Sequence, residues 1–221
     1  VVVDGNLITS RTPDDLPADW HFLWDERAAI REYDGKMPKE RAEAMALTDI
    51  FSIKEHFGAL KGLTLGYIGD GNNVGHSLII AAAKVGMNVR MATPKGYEPD
   101  LEIVAQAREF AKENGSEIAL SNSPEEVAKG AQILYTDVWV SMGEEAQLER
   151  RLKDFKNFQV NKELADLADK NYIFMHCLPA HRGQEVSADV MDDPTHSIVF
   201  DQAENRLHTQ KAILKFLFVN K

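Results

Sequence analysis

Short apolar segments alternate with longer amphipathic segments from residue 62 to residue 218, and this alternation constrains the fold more than any other feature. The apolar segments predict β-strands at 63–69, 88–94, 117–122, 131–139, 171–178 and, as a shorter addition, 197–202. The amphipathic segments predict helices at 72–86, 99–115, 123–130, 144–155, 162–169 and 203–218. Strands separated by helices pair in parallel through right-handed crossovers. We therefore expect an α/β fold: a doubly wound, mostly parallel sheet of about five strands with helices on both faces, a Rossmann-like architecture.

The first 58 residues lack this alternation. "VVVDGNLITSR" at 1–11 has two apolar stretches around an Asp-Gly-Asn turn and predicts a β-hairpin. The stretch 25–58 predicts two helices separated by Asp34-Gly35 and Pro38. The expected organisation is an N-terminal hairpin and linker at 1–19, a helical segment at 20–58 and an α/β domain at 59–221.

The charge balance and the cysteine count restrict the partners and the setting. The chain has 221 residues and a formal net charge of −10, which repels phosphates, so we expect no nucleic-acid partner and no membrane. No stretch approaches the roughly 18 continuous apolar residues of a membrane helix, and we expect no signal peptide. A single cysteine cannot form an internal disulfide, which fits a reducing compartment. We expect a cytoplasmic protein.

Candidate functional residues follow three of the predicted strands. The segment Gly69–Asn73 follows the first strand, Asp137–Met142 ends the fourth, and His176–Pro179 ends the fifth. In an open α/β sheet, ligands bind beyond the carboxyl ends of the strands. The sequence therefore predicts a binding site at this edge of the sheet.

The glycine-rich segment "GDGNNVG" at 69–75 allows two interpretations. Its glycines let the backbone approach a ligand, and the following helix start offers free N–H groups, as in a dinucleotide-binding loop. However, its third glycine comes one residue late for G-x-G-x-x-G, and the second strand ends in Ala92-Thr93-Pro94 without an acidic residue for a ribose. The alternative is a tight turn in which Asn72 caps the next helix.

The other candidate residues also leave alternatives open. Asp137 can hold an ammonium group and Ser141 can offer a hydroxyl, or both can cap the following helix. Cys177 could be a metal ligand, a nucleophile or a buried structural thiol. One cysteine with scattered histidines is a poor zinc signature, and His176, adjacent in a strand, points to the opposite face. Arg206 can donate two bonds to a phosphate or carboxylate, or it can pair with a surface acid.

Taken together, four separated motifs resemble the ornithine carbamoyltransferase family over residues 46–218. They are "IKEHFGALKGLTLGYIGDGNNVGHSLIIAAAKVGMNVRMATPKGYEP", "DVWVSMGEE", "MHCLPAHRGQEVS" and "FDQAENRLHTQKAIL". The resemblance implies that this part is the second, ornithine-binding domain of that family with its closing helix. The implied reaction moves a carbamoyl group from carbamoyl phosphate to the δ-amine of ornithine, giving citrulline and phosphate.

The resemblance also implies roles for individual residues. The amino-acid end of ornithine would be held by Asn73, Asp137, Ser141 and Met142. Cys177 would line the pocket at the reacting amine, with Leu178 beside it. Arg206 would contact carbamoyl phosphate and stabilise the charge that develops on it. The expected partners are thus ornithine and, on the donor side, carbamoyl phosphate, and we expect no metal and no cofactor.

The donor side of the resemblance is incomplete. The family has an earlier domain with a Ser-Thr-Arg-Thr phosphate loop, and we expect this domain to be missing. Where the family reads His-Pro-Thr-Gln, this sequence has Ala42, Glu43, Ala44 and Met45. Most ligands of carbamoyl phosphate are therefore expected to be absent.

The front of the chain resembles other proteins. "VVVDGNLITSRTPDDLPA" at 1–18 is similar to the C-terminal strand region of PfpI-like proteases, and 25–46 resembles a helical segment of phage-type replication proteins. We expect a chimeric or designed chain that keeps the ornithine site with weak or no activity; the alternative is an active ornithine carbamoyltransferase. The apolar side of the closing helix, which includes Leu207 and Ile213, needs a cover from residues 20–58 or from a second copy in a homo-oligomer.

Overall fold

The structure is a computed structural model that describes residues 2–3, 6–7, 39–140 and 147–219. Its contacts divide the chain into two units, Val1–Lys36 and Met37–Lys221. In the first unit, β1 (Val2–Val3) pairs antiparallel with β2 (Asn6–Leu7), as the predicted hairpin requires. The linker and the first of the two helices predicted at 25–58 lie outside the described residues.

The second unit contains a five-stranded, wholly parallel sheet in the order β5-β4-β3-β6-β7. Its elements are α1 (Lys39–Phe57), β3 (Thr64–Ile68), α2 (Asn73–Lys84), β4 (Asn88–Ala92), α3 (Leu101–Asn114), β5 (Ile118–Ser121), α4 (Pro124–Ala128), β6 (Ile133–Thr136), α5 (Leu148–Asp154), α6 (Lys162–Ala165), β7 (Ile173–His176), α7 (Ala188–Met191) and α8 (Val199–Val219). The predicted α/β fold with a parallel sheet of about five strands and helices on both faces is confirmed.

The two faces of the sheet form two separate apolar clusters. Alternate strand residues such as Leu65 and Tyr67 pack with α1, α2 and α3 in the first cluster. Ile68, Leu134 and Phe174 face the other way and pack with the helices that follow β5, β6 and β7. Because both faces are covered, the strands read as nearly continuous apolar runs. None of the helices among the described residues is both long and apolar enough to span a membrane.

Local sequence signals fix the helix boundaries. The side chain of Asn72 accepts hydrogen bonds from the backbone N–H groups of Val74 and Gly75 and so caps α2. Asp100 caps α3 in the same way, and Gly115 ends that helix in the left-handed region at a φ of 73°. The tight turn capped by Asn72, one of the two interpretations of the glycine-rich segment, is therefore present.

The strand predicted at 197–202 is wrong. Ser197 makes only an isolated bridge with Phe174, and α8 begins at Val199. The backbone N–H of Gln202 donates to the carbonyl of Ile198 at 2.8 Å, which closes the first helical turn. A short apolar run is compatible with a strand or a buried helix start, and periodicity alone does not separate them.

Candidate functional site

A cluster of polar side chains lies at the carboxyl ends of β3, β6 and β7. The Nδ2 of Asn72 donates to Oδ2 of Asp137 at 3.0 Å, and the Sγ of Cys177 donates to Oδ1 of the same carboxylate at 2.9 Å. The backbone N–H of Val138 also donates to Oδ1 at 2.8 Å. The three loops that follow these strands are therefore joined through one buried carboxylate, Asp137.

Cys177 is held as a neutral thiol. Burial raises the pKa of Cys177 well above its usual value, and the nearby Asp137 carboxylate raises it further. A protonated thiol can donate to Asp137, whereas a thiolate would face a like charge. This environment suits a thiol that lines a pocket and does not suit a nucleophile.

His176, the last residue of β7, points away from Cys177, as the alternation along a strand predicts. Its Nδ1 accepts from the backbone N–H of Leu178 at 2.9 Å, so Nε2 carries the proton and donates to Oε1 of the buried Glu185 at 3.1 Å. Oε1 of Glu185 also accepts from the backbone N–H of His181 at 2.6 Å. These bonds shape the turn after β7, in which Leu178 has a φ of 54° and precedes a cis peptide to Pro179.

Helix α1 contributes a buried carboxylate that the sequence did not reveal. Oδ2 of Asp49 accepts from the hydroxyl of Tyr135 at 3.0 Å, and Oδ1 accepts from Nε2 of Gln202 at 2.6 Å. Burial raises the pKa of Asp49 to about 7, although both hydrogen bonds and the charge of Arg206 lower it. The sequence signal that could have found it is three polar residues, Thr48, Asp49 and Ser52, interspersed with apolar residues of α1; all three are buried.

Arg206 lies on α8 beside the same cluster. It lines a narrow cavity together with Met45, Asp49, His176, Cys177, Leu178, Gln202 and Ala203. Among the side chains described at 44–140 and 147–215, none forms an ion pair with Arg206. Its charge acts on the neighbouring Asp49 carboxylate, whose pKa it lowers.

The loop before α2 is fixed by a close backbone approach. The N–H of Gly71 donates to the carbonyl of Tyr97 at 2.9 Å, and a Cβ on Gly71 would come within 2.3 Å of the backbone nitrogen of Pro99. The next residue back, Asp70, forms a buried ion pair with Arg151 at 2.6 Å. These contacts hold Asn72 in place to reach Asp137.

The structure brings most of the predicted site residues to one edge. Asp137, Cys177 and Leu178 follow β6 and β7, Arg206 lines the adjoining cavity, and the partly buried Asn73 begins α2 directly after Asn72. Ser141 and Met142 lie outside the described residues. Within the described part of the chain, no group of three or more His, Cys, Asp or Glu residues is arranged to hold a metal ion.

This fold and this polar edge define a doubly wound α/β domain of the class that binds small ligands beyond the carboxyl ends of its strands. The family model "Aspartate/ornithine carbamoyltransferase, Asp/Orn binding domain" matches residues 61–217. The chain belongs to this family.

Individual relatives agree with the family match. The ornithine carbamoyltransferase of Thermococcus kodakarensis is 56% identical over 169 residues, which cover 76% of this chain and 53% of that protein. The solved structure of ornithine carbamoyltransferase from Pyrococcus furiosus has a TM-score of 0.75 and 51% identity, covering 82% of this chain and 56% of that one. The anabolic enzyme from Campylobacter jejuni has a TM-score of 0.76 at 35% identity, covering 85% of this chain and 60% of that one. The chain thus spans about half the length of the curated relatives it matches.

Proposed function

We propose that residues 59–221 form an ornithine-binding domain that keeps the acceptor half of a carbamoyltransferase site. The proposal rests mainly on one observation: Asn72, Asp137 and Cys177 are joined by hydrogen bonds at the carboxyl edge of the sheet. In the proposed complex, Asn73 and Asp137, with Ser141 and Met142, hold the amino-acid end of ornithine. Leu178 lines the pocket, and the δ-amine lies near the neutral thiol of Cys177.

Charge supports a cationic ligand at this edge. Asp137 is buried and accepts hydrogen bonds from neutral groups, Asn72, the Cys177 thiol and its neighbour's backbone, so its charge has no cation among these partners. A buried carboxylate is more stable with a positive partner. The α-ammonium group of ornithine can supply that charge.

Calorimetric titration with ornithine and with norvaline tests the proposal, because norvaline keeps the amino-acid end and lacks the δ-amine. We expect both ligands to bind, and Asp137→Asn to weaken both by roughly tenfold or more, the loss expected for a buried charge-assisted contact. Asp201→Asn removes a carboxylate at an exposed position of α8 and serves as the matched control. Equal affinities of the two variants, or no ornithine heat with the wild-type chain, would contradict the proposal.

A second candidate function is carbamoyl transfer itself. It is favoured by Arg206, which lines the same cavity as Cys177. In this reaction the δ-amine attacks the carbamoyl carbon, a C–N bond forms, the C–O bond to phosphate breaks, and the amine loses a proton. Arg206 would stabilise the charge on the departing phosphate.

The loss of contacts to the donor, carbamoyl phosphate, predicts weak turnover. Met45, which stands where the family motif has its Gln, lines the cavity with an apolar side chain. Holding both reactants together is worth about 7–11 kcal/mol, so loss of donor contacts removes much of the rate. Citrulline formation at saturating carbamoyl phosphate is the test, and product that disappears in Arg206→Met would favour an active enzyme over a binding domain.

A further part of the proposal concerns the origin of residues 1–45. We infer a chimeric or designed origin for residues 1–45 from their resemblance to other families, and the family match, which begins at residue 61, is compatible with it. Expression of residues 37–221 with retained ornithine binding would support a separable front segment, and loss of binding on a folded product would contradict it.

A further inference from the structure

Three elements meet at the buried side chain of Asp49. Its two carboxylate oxygens accept from Tyr135 on β6 and from Gln202 on α8. The Oε1 of Gln202 in turn accepts from the backbone N–H of His176, at the end of β7, at 3.0 Å. Gln202 is therefore held at both ends of its amide, by α1 on one side and by the sheet on the other.

Gln202 and Arg206 are four residues apart on α8. Residues with this spacing lie on the same face of a helix, one turn apart. Arg206 lines the cavity that also contains Cys177. Because Gln202 is fixed at both amide atoms, the orientation of α8 about its own axis is set one turn before Arg206.

We propose that Asp49 is a positioning residue of this site: by fixing Gln202 it orients α8 so that Arg206 faces the cavity beside Cys177. The inference rests on the proposed function, in which Arg206 would contact the anionic donor. The proposal gives α1 the role of positioning Arg206, the cation that would contact carbamoyl phosphate.

A second link between α1 and α8 provides a matched control. The Nδ2 of Asn205 donates to Oγ of Ser52 at 3.1 Å and to Oε2 of Glu55 at 2.9 Å. Gln202 and Asn205 are 3% and 6% exposed, so their replacement disturbs equally buried polar links. Only Gln202 also bonds to the sheet, so only its loss should misplace Arg206.

The chain contains one cysteine, which makes Cys177 a specific reporter of nearby charge. We would measure alkylation of the full chain at a fixed alkaline pH, where part of the Cys177 thiol ionises, by iodoacetate, an anion, and by iodoacetamide, its neutral counterpart. The rate with iodoacetate divided by the rate with iodoacetamide cancels differences in thiol reactivity. This ratio reports the electrostatic potential at Cys177 and is higher where the surroundings are more positive. We expect Arg206→Met to lower this ratio about fivefold, as expected for removal of a nearby charge.

The positioning role makes a distinct prediction for α8. Gln202→Met should lower the ratio nearly as much as Arg206→Met, whereas Asn205→Met should leave it within about twofold of the wild type. Should Gln202→Met fail to fold, Gln202→Asn, which is too short to reach both Asp49 and His176, carries the same prediction. An unchanged ratio in Arg206→Met, or equal losses in the Gln202 and Asn205 variants, would overturn the proposal.

A double-mutant cycle isolates the part played by Asp49. Asp49→Leu removes a negative charge, which raises the ratio in every background, and its side chain has no acceptor for Gln202, whereas Asn would keep one. In the wild type it also releases Gln202, so the rise should be smaller there than in Gln202→Met. Equal rises in the two backgrounds would show that Asp49 does not position Arg206 through Gln202. Since no ornithine is used, this result is independent of whether the domain binds ornithine.

Discussion

At the scale of single residues, two buried carboxylates with different partners surround one thiol. Asp137 accepts from Asn72 and Cys177, whereas Asp49 accepts from Tyr135 and Gln202. Both carboxylates raise the pKa of Cys177, which burial has already raised. The thiol therefore stays protonated near neutral pH and acts as a hydrogen-bond donor.

The raised pKa of Asp49 predicts a pH-dependent stability. Because the pKa is about 7 in the folded chain and near 3.8 when exposed, folding takes up a proton between these values. The stability due to Asp49 is thus fully present below about pH 4 and is lost as the pH rises to about 7, by roughly 4 kcal/mol at most. Urea unfolding from pH 4 to pH 8 should show a decline in the wild type that is reduced in Asp49→Asn. Parallel curves for the two chains would contradict this prediction.

At the scale of the elements, residues close in sequence were the most predictable. Asn72, Asp100 and Gly115 lie at the ends of the helices predicted at 72–86 and 99–115, where a cap depends on only a few neighbouring groups. The stretch 197–202 was predicted wrongly, because its apolar run fits a strand edge as well as a buried helix start. Its backbone pairing with β7 is limited to a single bridge between Ser197 and Phe174, and the chain continues as α8 from Val199.

The loop between β3 and α2 gives a sharp prediction for two glycines. Gly71→Ala places a Cβ within 2.3 Å of backbone at Pro99, which cannot yield without moving the chain. We expect a loss of at least about 2 kcal/mol in the free energy of unfolding. The control is Gly75→Ala, inside α2. Its Cβ would come close, at 3.0 Å, only to the flexible end of Met91, with ordinary contacts to Tyr67 and Asp70, and the helix gains propensity. Urea unfolding that ranks the two variants in the reverse order would refute the close approach.

At the scale of the whole molecule, the site joins segments that are far apart in the chain. The parallel sheet predicted from alternating segments placed Asp137 and Cys177 at one edge, because parallel strands end on the same side. The part played by Asp49 could not be predicted, since its partners Tyr135 and Gln202 come 86 and 153 residues later. No local sequence pattern in α1 indicates which strand or helix its side chains will contact.

Two large apolar side chains of α8 are exposed. We expected residues 20–58 or a second copy to cover this helix. Helix α1 does pack against it through Gln202 and Asn205, yet Leu207 remains 59% exposed and Phe200 is 71% exposed. These two side chains are seven residues apart and share one helix face. Burying each in a second copy would contribute about 2 kcal/mol.

We therefore predict concentration-dependent self-association through this face, measurable by sedimentation velocity. The double variant Phe200→Ser, Leu207→Ser should raise the dissociation constant by about tenfold or more, because two apolar contacts are lost. Leu101→Ser is the control, since Leu101 is 75% exposed at the start of α3, on a different helix. A wild-type chain that stays monomeric at all concentrations, or a control that dissociates as strongly as the double variant, would show that this face does not mediate association.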